Sequence, residues 1–235
     1  MLELERILQK IDGGNVLDVA SGRGEFIQFI KHFKSYKKIT AIDIMANSEK
    51  LIQQTYPNDK ITFVWGNAKE LPFEDESFDT VCLSNSLHHL ENMEKVLEEM
   101  IRVLKKNGNF VIHEMYCDNQ NKAQMSHVKI HHWFAKIDTV FGQKHDPTFP
   151  RQKIKDMISE LDLKKIKILD YAFPVPEPKD PEMVNERAKL IDAGLRKLDN
   201  KENFDILRKE GEEIRSYILE NGFAPAASLF ILGTK

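Results

Sequence analysis

The stretch "VLDVASGRGEF" (16–26) places an acid, Asp18, at the end of an apolar run and just ahead of a turn of small residues, Ala20, Ser21, Gly22 and Gly24. Small side chains at a strand-to-helix turn let a ligand come close to the backbone. A helix over 24–33, expected from its apolar spacing, points free N–H groups and a positive dipole end at the same place, which suits a carboxylate or phosphate. Asp18 is suited either to holding the turn through backbone N–H groups or to taking a ligand's ammonium. Asp43 closes the next apolar run, where an ionised acid accepts both hydroxyls of a ribose. After a third run comes "GNA" (66–68), where the side-chain oxygen of Asn67 suits a purine amine and the backbone of Ala68 a ring nitrogen. A dinucleotide fingerprint requires a third glycine, and reading G-x-G-x-x-G from Gly22 puts Ile27 there. A nicotinamide-dependent oxidoreductase is therefore the weaker reading.

A second group of chemically capable residues lies in "HVKIHHWFAKIDTVFGQKH" (127–145). At about 100° per residue, Ile130, Trp133, Phe134, Ile137, Val140 and Phe141 form one broad stripe. His127, His131 and Asp138 run along its edge, and His132 points elsewhere. Three readings follow: a packed helix with locally satisfied histidines; a general base or orienter at His127 or His131, with Asp138 fixing the tautomer; or a metal held by imidazoles at i and i+4. No third ligand is apparent, so no metal is assigned; His145 and His113 count only if the fold brings them near.

The elements that must position these residues alternate. Strands are expected at 15–20, 37–45, 60–68, 78–86 and 108–116, with helices at 24–33, 48–56 and 93–106 between them, the last capped by Asn92 and stopped by Gly108. Short connections between such units argue an α/β fold, a doubly wound, mostly parallel sheet covered on both faces. Ligands of such sheets bind beyond the carboxyl ends of the strands. Two further runs, 163–173 and 228–235, raise the strand number to seven and flank a charged helical segment at 182–221. The expected organisation is a ligand-binding core at 1–116, a histidine-rich helical cap at 117–150, and the remainder of the core at 151–235, interrupted by a helical insertion at about 174–221.

A net charge of −3 argues against a nucleic-acid partner, which needs a basic face. Cys82 and Cys117 make neither a disulfide framework nor a zinc ribbon. No signal pattern and no membrane-length apolar run is present, so a cytoplasmic protein, away from the membrane, is expected.

Together, "VLDVASGRGEF", "AIDI", "WGNAKELPFEDESFDTVCLSNSLHHL" and "LKKNGNFVIHE" resemble the class I S-adenosylmethionine-dependent methyltransferases, especially the small-molecule branch that includes the quinone-biosynthesis enzymes. The resemblance covers 15–116 closely and implies a Rossmann-like methyltransferase fold with S-adenosyl-L-methionine as cofactor. By position it implies cofactor contacts from Asp18, from the loop Ala20, Ser21, Gly22 and Gly24, from Asp43 and Ile44, from Asn67 and Ala68, and from Ser84, Asn85, Leu87 and His89 beyond the fourth strand. Two residues depart from the pattern. Ala20 replaces a glycine, which tightens the turn and is tolerable if its φ is negative; Asn67 replaces an acid but keeps an acceptor oxygen. The implied activity is methyl transfer to oxygen or carbon of a small apolar or aromatic molecule. The lack of an Asn/Asp-Pro-Pro-aromatic signature after strand four favours those acceptor atoms over nitrogen. A non-catalytic cofactor-binding module is the alternative, and the expected assembly is a monomer or homodimer.

Overall fold

The computed structural model describes residues 3–57, 59–198 and 204–235. Strands β1 (Asn15–Val19), β2 (Lys38–Asp43), β3 (Ile61–Trp65), β4 (Phe78–Ser84), β5 (Leu104–Met115), β6 (Lys164–Tyr171) and β7 (Ser228–Thr234) form one sheet in the order β3-β2-β1-β4-β5-β7-β6. β1 runs parallel to β2 and β4, β2 to β3, and β4 to β5. This is the seven-stranded, mostly parallel α/β sheet that the alternation predicts. Its central strands carry almost unbroken apolar runs because both faces are covered: Val16, Leu17, Val19, Ile39, Val81 and Leu83 are all fully buried. Each such side chain contributes roughly 1.5–3 kcal/mol of transfer free energy. Strand order reverses at β1, whose neighbours are β2 on one side and β4 on the other, which is where sheets of this kind bind ligands, beyond the carboxyl ends of the strands.

Among the described residues the helices are α1 (Glu3–Leu8), α2 (Ile27–Ile30), α3 (Ser48–Thr55), α4 (Met93–Val103), α5 (Lys122–Val140), α6 (Arg151–Ser159), α7 (Pro181–Leu198) and α8 (Asp205–Asn221). The expected helix over 24–33 is regular only through the four residues of α2. Turns with i→i−3 hydrogen bonds flank it, Ile27 N–H to Gly24 O and His32 N–H to Phe29 O. The apolar face is nevertheless as expected, with Phe26, Ile27, Ile30 and Phe33 buried; aromatic and β-branched residues bury that face well but propagate a helix poorly. One turn of helix has little dipole to offer a ligand. α4 is capped by Asn92, which accepts from Lys95 N–H at 3.1 Å. It ends at Val103 rather than 106, because buried Leu104 turns extended (ψ 130°) and pairs with Phe78 on β4. Gly108 therefore lies inside β5 and is not a helix stop; a Cβ there would sit 2.6 Å from Leu104 Cδ1.

The chain divides into two compact units, Met1–Glu114 with Met157–Leu169 and Leu229–Lys235, and Met115–Asp156 with Asp170–Ser228. The first holds β1 to β4 and most of β5, β6 and β7. The second packs α5, α7 and α8 around Trp133, which is fully buried and donates its indole N–H to Leu207 O at 2.8 Å. α7 and α8 come this close because Gly194 and Gly211 stand against the indole. The connection at 199–203, within the segment expected to be helical at 182–221, lies outside the described residues. Ile130, Trp133 and Ile137 form the buried stripe predicted for α5, with Phe134 packed beside them. Val140 and Phe141 leave it, being 49% and 42% exposed, because the helix ends there and Gly142 turns the chain at φ +81°. No described helix is long and apolar enough to cross a membrane.

Candidate functional site

The chain leaves β1 through a left-handed turn. Ala20 has φ +52°, not the negative angle at which an alanine is readily tolerated, and an L-residue there costs roughly 1–2 kcal/mol. The turn is held against that cost by Ser21 N–H bonding Ile42 O at 3.1 Å, by Gly24 N–H bonding Ser21 O at 2.7 Å, and by Tyr56 O–H bonding Gly24 O at 3.0 Å. Gly22 (φ +54°) and Gly24 (φ +81°) are both left-handed, but their surroundings differ. A Cβ on Gly24 would lie 3.0 Å from Ile27 and Ile52, so that glycine serves packing. A Cβ on Gly22 would meet nothing nearer than Glu25 Oε2 at 4.0 Å, so that backbone faces open space.

Of the two sequence readings of Asp18, holding the turn is the one the structure does not bear out. Asp43 is the residue that ties the turn: its Oδ2 accepts from Gly22 N–H at 2.7 Å and its Oδ1 from Met45 N–H at 2.8 Å. Asp18 does not hold the turn. It is 1% exposed, and neither carboxylate oxygen has a hydrogen-bond partner. Burial, followed by the charges of Asp43 and Glu25, pushes its pKa up to about 8. Ser21 Oγ is likewise buried without a partner. Buried polar atoms are nearly always paired in native proteins, and an orphaned carboxyl beside an open glycine marks a place built for a polar ligand.

Beyond β2 and β3 the surface is unusually apolar. Ile44 is 66% exposed and Trp65 71% exposed, and the indole N–H of Trp65 bonds Ile44 O at 3.1 Å. Trp65 lies in register with Asp43 and was missed by the sequence reading; the available signal was a large aromatic at the carboxyl end of a strand. Asn67 Oδ1 accepts from Lys69 N–H at 3.0 Å in a local turn, which leaves it one further lone pair. Ala68 is partly exposed beside it.

At the end of β4, Ser84 Oγ lies 2.9 Å from His113 Nδ1. That imidazole is stacked on Phe230 and pushed down by burial to about 3, so it stays neutral. Asn85 is exposed, left-handed (φ +44°), and donates its N–H to His113 O at 2.7 Å. The next turn is organised by a residue the sequence reading overlooked. Glu114, fully buried at the end of β5, accepts from Ser86 N–H at 3.0 Å and Leu87 N–H at 3.1 Å through Oε2, and its Oε1 meets His88 Nδ1 at 2.6 Å. Leu87 is thereby drawn inward and is 1% exposed. His89 remains exposed, its ring 4.2 Å from that of His88.

In the second unit the expected group of His127, His131 and Asp138 does not assemble. His127 Nδ1 accepts from Ala226 N–H at 3.0 Å, and burial, then the charge of Arg187, pushes its pKa down to about 4. With Nδ1 so engaged, His127 is a structural acceptor and not a free base. Asp138 pairs with neither predicted imidazole but with His145 Nδ1, at 2.8 Å. His145 reaches His131 in turn.

Comparison with known proteins agrees with this geometry. Residues 17–112 match the family described as a methyltransferase domain. That match spans β1 to β5 and less than half of the chain. The chain is 33% identical over 115 residues to the demethylmenaquinone methyltransferase of Porphyromonas gingivalis, covering 47% of each protein. It is 29% identical over 131 residues to a sterol 4-C-methyltransferase of Caenorhabditis elegans, covering 53% of this chain and 39% of that protein. The matches thus span about half the length of these relatives or less. Among solved structures, phosphoethanolamine N-methyltransferase 2 of Haemonchus contortus, in complex with S-adenosylhomocysteine, superposes with a TM-score of 0.57 at 18% identity, over 99% of this chain and 51% of that one.

Proposed function

We propose that the whole protein transfers the methyl group of S-adenosylmethionine to carbon or oxygen of a small apolar or aromatic molecule. The observation that carries the cofactor half of this reading is the orphaned carboxyl of Asp18 beside the open face of Gly22. The residues fit the cofactor group by group. Asp18 and Ser21 supply acceptors for its ammonium. The backbone at Gly22 allows close approach of its amino-acid portion. Asp43, already fixed by two N–H donors, keeps lone pairs for the ribose hydroxyls. Ile44 and Trp65 offer an exposed apolar face for the adenine, with Ala68 at its edge.

When bound, the cofactor supplies a methyl carbon that is already electrophilic, so the protein's main task is alignment and exclusion of water. Glu114 fixes the turn carrying Ser86 to His88, so that the crevice wall after β4 is rigid before any ligand arrives. The choice of a small apolar acceptor at carbon or oxygen rests on the sequence beyond β4 and on relatives named for quinone and sterol methylation.

The test is methyl transfer from radiolabelled S-adenosylmethionine to a panel of quinols, phenols, sterols and amines. Label in the quinol, phenol or sterol products supports the proposal. Label confined to amines overturns the acceptor assignment. Cofactor binding with no turnover on any acceptor points to a binding module instead.

A further inference from the structure

The metal reading of the cap histidines fails for the pair that suggested it, since His127 is committed to Ala226. Another pair takes its place. His131 Nε2 and His145 Nε2 face each other at 3.3 Å, with their rings nearly perpendicular at 84°. Behind His145, its Nδ1 lies 2.8 Å from Asp138 Oδ2. All three residues belong to the second unit: His131 and Asp138 lie on α5 and His145 in the chain that follows it. We infer that these residues form a transition-metal site of the zinc class, in which His131 Nε2 and His145 Nε2 ligate the ion and Asp138 orients His145 from behind.

The tautomer is the first argument. An ionised carboxylate only accepts, so Asp138 places a proton on His145 Nδ1 and leaves Nε2 as a lone pair aimed at His131. The spacing is the second. Two imidazole nitrogens about 2.0–2.1 Å from one tetrahedral zinc lie about 3.3 Å apart, which matches the observed separation. A direct hydrogen bond to nitrogen has its usual optimum nearer about 2.9–3.0 Å. The third argument is the carboxylate itself: metal-bound histidines characteristically donate their other ring N–H to a carboxylate, which fixes the ring and raises its basicity. Imidazole pairs select zinc, copper or nickel, whereas magnesium and calcium prefer oxygen donors. The ion's structural effect is to pin the segment carrying His145 onto α5.

The full chain, stripped with chelator, is titrated with Zn2+ and separately with Co2+. One equivalent of Zn2+ is expected to bind, and Co2+ is expected to develop ligand-field absorption. His131→Ala and His145→Ala each weaken Zn2+ binding by at least tenfold, Asp138→Asn weakens it by roughly 10–100-fold, and Mg2+ does not compete. His132→Ala, whose imidazole instead meets Thr148 Oγ1 at 2.8 Å, leaves the affinity unchanged. Absence of Zn2+ binding, or wild-type affinity in both His131→Ala and His145→Ala, overturns the assignment. Should His131→Ala fail to fold, His145→Ala, altered outside the helix, and the Co2+ spectrum of the unaltered chain decide the matter.

Discussion

Binding of S-adenosylhomocysteine should expel a proton from the protein. Asp18 is buried without a partner and carries a pKa of about 8, so at pH 7 it is about nine-tenths protonated. A ligand ammonium placed against it favours the charged form by up to about three units, which brings the carboxyl to about 5 and leaves it ionised. Net release at pH 7 is then about 0.9 proton. Ionising the carboxyl costs about 1.4 kcal/mol at that pH, a factor of about ten in affinity. Between pH 5.5 and 7 the affinity should rise nearly tenfold per unit, while the ligand's amino-acid ammonium stays charged. Calorimetric titration in buffers of different ionisation enthalpy measures the release. Asp18→Asn removes both the release and the pH dependence. The free-protein stability has the matching sign: a raised carboxyl pKa means the folded state holds an extra proton, so stability falls as pH rises from about 4 to about 8. Asp18→Asn should therefore melt higher than the wild type at pH 8 and show a smaller difference at pH 5. A release near zero with a flat affinity profile in the wild type would refute the pairing of Asp18 with an ammonium.

Three further substitutions probe the scaffold. Ala20→Gly relieves a left-handed alanine (φ +52°) and should stabilise by about 0.5–1 kcal/mol, read as a rise of about 1–4 °C in Tm; a lower Tm contradicts the strain argument. Gly194→Ala would place a Cβ 2.5 Å from the Trp133 ring and should cost about 1–3 kcal/mol by denaturant unfolding, with a shift in Trp133 emission; no loss would mean that α7 and α5 have slack. Glu114→Ala strands two backbone N–H groups and removes the carboxylate from the buried His88 imidazole and should cost about 3–5 kcal/mol. Glu114→Gln, which keeps one oxygen for the two amides, should cost clearly less, and equal losses in the two variants would sever that link.

Local pattern made much of this legible beforehand. Short, nearly unbroken apolar runs, alternating with helical spacing, gave the strands and their parallel arrangement, because burial on both faces leaves few other sequences for a central strand. The acid, glycine turn and second acid stood out since each needs a particular residue type at a strand end. Partner choice was less legible. Which of Asp18 and Asp43 anchors the turn, and whether Asp138 meets His127, His131 or His145, depends on distances set by tertiary packing and not by helical angle. The sign of φ at Ala20 was hidden for the same reason: three hydrogen bonds around the turn impose it against the residue's own preference. Trp65 and Glu114 carried signals that periodicity does not weigh, a large aromatic left at a strand terminus and an acid inside an apolar run.

The decisive measurement is equilibrium binding of S-adenosylhomocysteine and of NADH to the wild-type chain and to Asp43→Ala. S-adenosylhomocysteine is expected to bind the wild type and NADH is not. Asp43→Ala loses both the ribose acceptor and the two N–H anchors of the turn, so its affinity should fall by at least tenfold while the fold persists by circular dichroism. Tight NADH binding without S-adenosylhomocysteine binding, or unchanged affinity in Asp43→Ala, would contradict the assignment of this crevice as the methyl-donor site.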